Sequence, residues 1–219
     1  PTTLTINGNQ RDPVTVGTSD GPIHPTGISL SLARCEITDA NTQNVVSSPT
    51  ITLTANNLDV NLYTQDTGDH ALNFSGANNS PYGTHPKTKD KNNADVNFGT
   101  SATITFTNGV ATTGMSLYKA EMAEVETTDG TFATTADQSY DLNVNVTATA
   151  ANPNKTSISA TPSPVPIHQT VTVTVTTFDP YGNPEVTGGD TVVLTVAGSN
   201  SATPSVTDNH NGTYTAIRR

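Results

Sequence analysis

The sequence predicts an all-β protein of antiparallel strands, and three observations carry that reading. The first is strict alternation of apolar and polar residues. Thr170-Val171-Thr172-Val173-Thr174-Val175-Thr176 is the clearest run, and Ile28, Leu30 and Leu32, then Ile51 and Leu53, then Leu142, Val144 and Val146 keep the same period. Successive side chains on a strand point to opposite faces, so a period of two builds a pleated sheet with one buried face. The second is the turn chemistry between runs, where Asn108-Gly109, Asp129-Gly130 and Asn211-Gly212 supply residues that tolerate the positive φ of tight hairpins. The third is composition. Apolar residues make up only 32% and charged residues only 13%, so much of the remainder is Thr, Ser and Asn. Threonine is β-branched and stiffens the solvent face of a strand while the alternate Val, Ile or Leu supplies burial.

Strands are expected at 3–7, 14–16, 28–37, 50–54, 58–63, 70–74, 103–106, 110–118, 123–127, 131–134 and 140–148, and then at 157–160, 170–178, 191–196, 205–207 and 213–217. No window keeps a helical period, and 118–124 holds at most a single helical turn. Residues 148–155 are small and polar with Pro153 among them, which marks a short linker and divides the chain into 1–151 and 152–219. The stretch 75–97, rich in Gly, Pro, Asn and Lys, reads as a long loop that is either solvated or in contact with a partner.

A net charge of -10 and a pI near 4.6 argue against nucleic acid and against an anionic membrane surface, both of which need cationic protein. Lys87, Lys89 and Lys91 form the one basic cluster, diluted by Asp90 and Asp95. No apolar run approaches the roughly 20 residues of a membrane helix, and with Pro at position 1 the chain reads as a mature or excised piece. Cys35 is the single cysteine, so it cannot close a disulfide within the chain and reads as a small core residue. His24, His70, His85, His168 and His210 match no zinc spacing, and there is no nucleophile elbow, phosphate loop or isolated carboxylate pair, so no enzyme and no organic cofactor are expected.

The second part of the chain carries a family resemblance. An edge-strand exit, Thr161-Pro162-Ser163-Pro164-Val165-Pro166, precedes the long Thr/Val strand; the turn Asp179-Pro180-Tyr181-Gly182-Asn183-Pro184 follows it; and Asn211-Gly212-Thr213-Tyr214-Thr215-Ala216 closes the pattern. This order resembles the immunoglobulin-like repeats of bacterial invasin/intimin-type surface proteins and, more distantly, filamin repeats. In the first part, Leu72-Asn73-Phe74-Ser75-Gly76-Ala77, Thr103 to Ala111 and Leu117-Tyr118-Lys119-Ala120-Glu121 look like strands of tandem repeats in very long bacterial surface proteins. The resemblance implies two tandem immunoglobulin-like β-sandwiches, the first enlarged by an insertion at 39–69 and the second lacking its last strand.

The same resemblance implies roles for particular residues. Tyr214, two positions after Gly212, would open the sixth strand and cap backbone upstream through its hydroxyl. Apart from the resemblance, the alternation of the long strand leads us to expect Val171, Val173, Val175, Leu194 and Tyr214 in one core. The sixth strand would then present an open edge, either because the chain is cut short there or because a neighbouring chain supplies the seventh strand, and the alternating Leu4, Ile6, Val14 and Val16 have the pattern of a strand donor. Arrays of this kind are often stiffened by calcium, for which Asp90, Asn92, Asn93 and Asp95, or Asp208, Asn209 and Asn211, offer hard oxygen ligands; turn chemistry accounts for the same residues. The expected function is a non-enzymatic extracellular structural or adhesive module at a cell surface, a spacer or fibre subunit whose partners are neighbouring copies or domains, a host-surface protein or a glycan. A virion or phage-tail decoration protein is the alternative at a virion surface. A carbohydrate-binding module would instead need an aromatic platform, and Tyr63, Tyr82, Tyr118, Tyr140 and Tyr181 are scattered in sequence.

Overall fold

Alternating strands of this composition pair into three substantial sheets. The computed structural model describes residues 17–18, 21–22, 34–38, 42–44, 49–56, 62–131, 133–134, 140–199 and 201–218, and among these the regular structure is all strand. Strands β1 (Gly17–Thr18) and β2 (Gly21–Pro22) form a short ladder of their own. The first sheet holds β3 (Arg34–Thr38), β5 (Thr50–Asn56), β10 (Val110–Ser116), β7 (Lys87–Lys89) and β8 (Asp95–Asn97) in that spatial order. The second holds β4 (Thr42–Asn44), β12 (Leu142–Thr147), β11 (Glu121–Thr128), β6 (Gly68–Ser75) and β9 (Ser101–Phe106). All their pairings are antiparallel except that of β4 with β12.

These two sheets share one core and form a β-sandwich. Ile51, Leu53 and Ala55 from β5 and Ala111 and Met115 from β10 meet Leu72 and Phe74 from β6, Ile104 and Phe106 from β9, Val125 from β11 and Val144 from β12, all buried. The buried residues recur at every second position, as the sequence period requires. The turn Asn108-Gly109 has φ of 51° and 82°, the pair of positive values that a two-residue primed turn needs, and it passes the chain from β9 in one sheet to β10 in the other. Of the segment 39–69, expected as an insertion, β5 sits between β3 and β10 inside the first sheet.

The third sheet holds β13 (Ser157–Thr161), β14 (Val171–Thr176), β16 (Thr213–Arg218) and β15 (Thr207–Asp208). Its order repeats that of β3-β5-β10-β7: the second strand lies between the first and a later one, and the later one is flanked by a strand that precedes it in the chain. The strand ending the sequence was expected at an open edge; β16 instead lies inside the sheet, with β14 on one side and Thr207 and Asp208 opposite Thr215 and Tyr214 on the other.

Three further expectations meet a different outcome. The stretch 75–97, read as a loop, contains the hairpin β7–β8. Its strands are three residues long and read Lys-Thr-Lys and Asp-Val-Asn, too short for an alternation signal; Thr88 is nevertheless buried, its hydroxyl donating to the Gly114 carbonyl at 3.2 Å. The run 191–196, read as a strand, makes only a single bridge, Val196 with Ala202, and leaves Val193 73% exposed. Alternation supplies a face but not a partner, and among the described residues no strand lies beside 191–195. The run 131–134 likewise contributes one bridge, Thr128 with Ala133. The expected strands 3–7 and 14–16, with the donor residues Leu4, Ile6, Val14 and Val16, lie outside the described residues.

The faces of β14 provide a direct test of register. Val175 is buried, whereas Thr172 is exposed. Val175→Asp is expected to cost several kcal/mol, because a charge enters an apolar contact without a partner. Thr172→Asp, the same charge on the opposite face of the same strand, should cost under about 0.5 kcal/mol. Urea titrations followed by circular dichroism compare the two, and equal losses would mean that the strand is registered the other way.

Candidate functional site

A densely hydrogen-bonded polar site joins the sandwich to the third sheet. It is built on the turn after β14. Asp179 is fully buried, and its Oδ1 accepts the Tyr181 and Asn183 backbone N–H groups at 2.8 and 2.9 Å, while its own N–H donates to the Asn183 carbonyl at 2.9 Å. Gly182, at φ +88°, takes the left-handed conformation that this closure requires. The turn therefore presents Tyr181 and Asn183 outward in a fixed geometry. Asn183 reaches residues 117–120, which connect β10 to β11: its Nδ2 donates to the Tyr118 carbonyl at 2.9 Å, and its Oδ1 accepts the Ala120 N–H at 2.8 Å. Beside it the Tyr82 N–H donates to the Tyr181 carbonyl at 3.2 Å, and the Tyr118 and Tyr181 rings lie 5.0 Å apart at 55°. Lys155, from the linker, holds its Nζ 4.7 Å from the Tyr82 ring centroid.

Three of the five tyrosines weighed as a sugar platform are thus gathered at this junction. They are not coplanar: the Tyr118 and Tyr181 rings are tilted 55° to each other, and the Tyr82 ring faces Gly182 and Lys155. Sequence reasoning found the turn but missed the junction. The one local signal was an aromatic residue inside a Pro-Gly-Asn turn, where solvent exposure alone would favour a small polar residue.

The candidate calcium ligands fall in two places. Asp90, Asn92, Asn93 and Asp95 all lie on the β7–β8 hairpin. Asp90 Oδ1 accepts the Asn92 and Ala94 N–H groups at 2.9 and 2.8 Å, closing the turn in which Asn93 has φ of 64°. Asp95 is bridged by Lys89 at 2.5 Å and Lys87 at 3.5 Å, and the Lys89 ammonium in particular holds its carboxyl below the usual range. Lys91 pairs with Asp69, so each lysine of the basic cluster has a carboxylate partner. Asp208 stands on the third sheet, its Oδ2 accepting the Gly189 N–H at 2.9 Å and its Oδ1 the His210 N–H at 2.7 Å. Asn209 and Asn211 bond to Thr213 in the same hairpin.

Of the residues assigned to the second core, Tyr214 and Val175 are buried, and Val171, Val173 and Leu194 are half-buried. The Tyr214 hydroxyl accepts the Asp190 N–H at 2.9 Å and lies 3.2 Å from Asp190 Oδ2. Gly212, at φ +75°, packs against the Glu185 carbonyl.

A second polar cluster lies at the rim of the sandwich. His70 holds Asp66 Oδ1 at 2.8 Å on Nε2 and Asp129 Oδ2 at 3.0 Å on Nδ1, with the Phe106 ring edge-on 5.0 Å away. Burial disfavours the charged imidazolium, but the hydrogen bonds to Asp129 and Asp66 and the charges of both carboxylates outweigh it and raise the His70 pKa above 6.5. Only the imidazolium donates from both nitrogens; a neutral ring would turn a lone pair toward one carboxylate. A raised folded pKa contributes stability that is complete below about pH 6.5 and is lost as pH rises through the folded value. The urea midpoint of the sandwich should therefore fall as pH is raised above 6.5 through the folded value, and His70→Phe should flatten that slope; an unchanged slope in the variant would assign it to other groups. Cys35, fully buried nearby, has its thiol pushed up to about 12, by burial first and then by Asp129, Asp66 and Glu36, so it stays protonated and is no nucleophile at neutral pH.

No family model matches the chain, and no curated protein sequence does. Among solved structures it is similar to FdeC, an Escherichia coli adhesin, with a TM-score of 0.47 and 16% identity over 86% of this chain and 56% of that one. It is also similar to invasin, a bacterial integrin-binding protein (TM-score 0.34, 14% identity, 84% of this chain and 32% of that one). Domains 4–9 of the surface layer protein SbsC give a TM-score of 0.32 at 15% identity over 85% of this chain and 26% of that one. The chain spans about half the length of the FdeC chain and about a third or less of the other two.

Proposed function

We propose that this chain is a non-enzymatic extracellular module of a bacterial surface protein, structural or adhesive, in which β-units in series act as a spacer or fibre subunit. The observation that supports it is the way the chain passes from the sandwich to the third sheet. β12 ends at Thr147 and β13 begins at Ser157, and the residues between are tied to structure: the Asn152 N–H donates to the Phe178 carbonyl at 2.7 Å, and the Lys155 and Thr156 N–H groups donate back to Asn152 at 2.9 and 3.2 Å. A linker held this way sets its neighbours at a fixed separation, as a spacer requires. The same short linkage suits neighbouring repeats in an array that carries a binding tip toward a host protein or glycan. Antibodies against the folded chain should label intact, unpermeabilised cells of the source organism; labelling only after permeabilisation would overturn an extracellular role.

A further inference from the structure

We propose that the patch of the sandwich formed by Tyr82, Tyr118 and the Lys119–Ala120 backbone is a socket for the Asp-Pro-Tyr-Gly-Asn turn of the unit that follows it, and that the plugged turn locks the two units into one rigid body. The proposal deepens the spacer reading and rests on it.

The plug's turn is closed by hydrogen bonds within its own unit. Asp179 closes the turn from inside its own unit, so Asn183 and Tyr181 are presented without a further loss of backbone freedom on docking. The socket is equally well held. Tyr82 sits in a turn closed by the Gly83 N–H to the Ser80 carbonyl at 2.8 Å and by the Thr84 N–H to Ser80 Oγ at 3.0 Å.

Asn183 is the residue that reads the socket. It is 1% exposed, and each polar atom of its amide is used: Nδ2 donates both to Asp179 Oδ2 at 2.8 Å within the turn and to Tyr118 O across the junction, and Oδ1 accepts from Ala120 N. If the units separate, the amide exchanges two protein partners for water, so each bond contributes the modest net stabilisation of an ordinary buried hydrogen bond. The socket atoms it reads are backbone, so the recognition depends on the course of residues 118–120 more than on their side chains. Gly182 explains the close approach. A Cβ there would stand 3.0 Å from three atoms of the Tyr82 ring, so the turn lies flat against the ring, and a side chain would hold the units apart. Tyr181 is packed against the sandwich core from outside.

The linker sets the separation but leaves the units free to rotate about it; the plug fixes their orientation. The test uses the full chain with spin labels on Thr112→Cys and Thr172→Cys, exposed positions on β10 and β14; Cys35, buried and protonated, does not take the label. Pulsed electron resonance should give one narrow distance in the parent. Tyr82→Ala, which removes a side chain that is half exposed and outside the core, should replace that peak with a broad distribution, and Asn183→Ala should do the same. A broad distribution in the parent, or a peak that Tyr82→Ala leaves narrow, overturns the proposal. Surface labelling and distance width are independent readouts, so a failed spacer reading and a failed lock are told apart.

Discussion

Phe74→Ala is expected to destabilise the sandwich by about 3–5 kcal/mol. Phe74 is fully buried in β6 and its ring stacks on Phe98 at 5.6 Å and 29°. Truncation removes the transfer energy of the ring and leaves a cavity that strands on both sides, β9 and β11, are too constrained by their ladders to fill. Such a loss is a large share of the roughly 5–15 kcal/mol that stabilises a domain. Urea unfolding monitored by circular dichroism measures it, and a loss under about 1 kcal/mol would place the ring outside the core.

Gly212→Ala is the second large effect. At φ +75° an L side chain is strained by roughly 1–3 kcal/mol, and the new Cβ would stand 2.0 Å from the Glu185 carbonyl oxygen, a backbone atom that cannot rotate away. Relief requires moving either the β15–β16 hairpin or the segment after the Asp179 turn. Both hold Tyr214, through Asp208 opposite it in the ladder and through Asp190 on its hydroxyl. The third sheet should therefore melt separately and at lower temperature than the sandwich, with Tyr214 becoming exposed. A calorimetric profile identical to that of the parent would show that residues 185–190 yield without strain.

The fold class was legible because each strand carries its own evidence. The period of two in β5, β9, β12 and β14 reports which face is buried, and Asn108-Gly109 reports a primed turn, from residues adjacent in sequence. The same locality explains the failures. β7 and β8 are strands because β10 and the hairpin turn hold them, and nothing within Lys-Thr-Lys announces that. Residues 191–196 have the alternation of a strand, yet pairing needs a second chain segment alongside, which alternation cannot supply. That β15 flanks β16 at Tyr214 and Thr215 was not foreseen for the same reason, since the pairing is a relation between segments that alternation does not report.

The junction shows the division most plainly. The sequence by itself determined that Asp179 to Pro184 is a turn, because Pro180 presets φ and Gly182 accepts positive φ; the structure adds that Asp179 caps the backbone N–H groups two and four residues on. Only the tertiary structure decided that this turn meets Tyr82, Tyr118 and Ala120, the last two partners 65 and 63 residues away from Asn183 along the chain. Turn formation is a local balance of dihedral preference and one or two hydrogen bonds. A contact across 63 residues depends on where two folded units place their surfaces, and the atoms that make it on the socket side are backbone carbonyl and N–H groups, which every sequence contains.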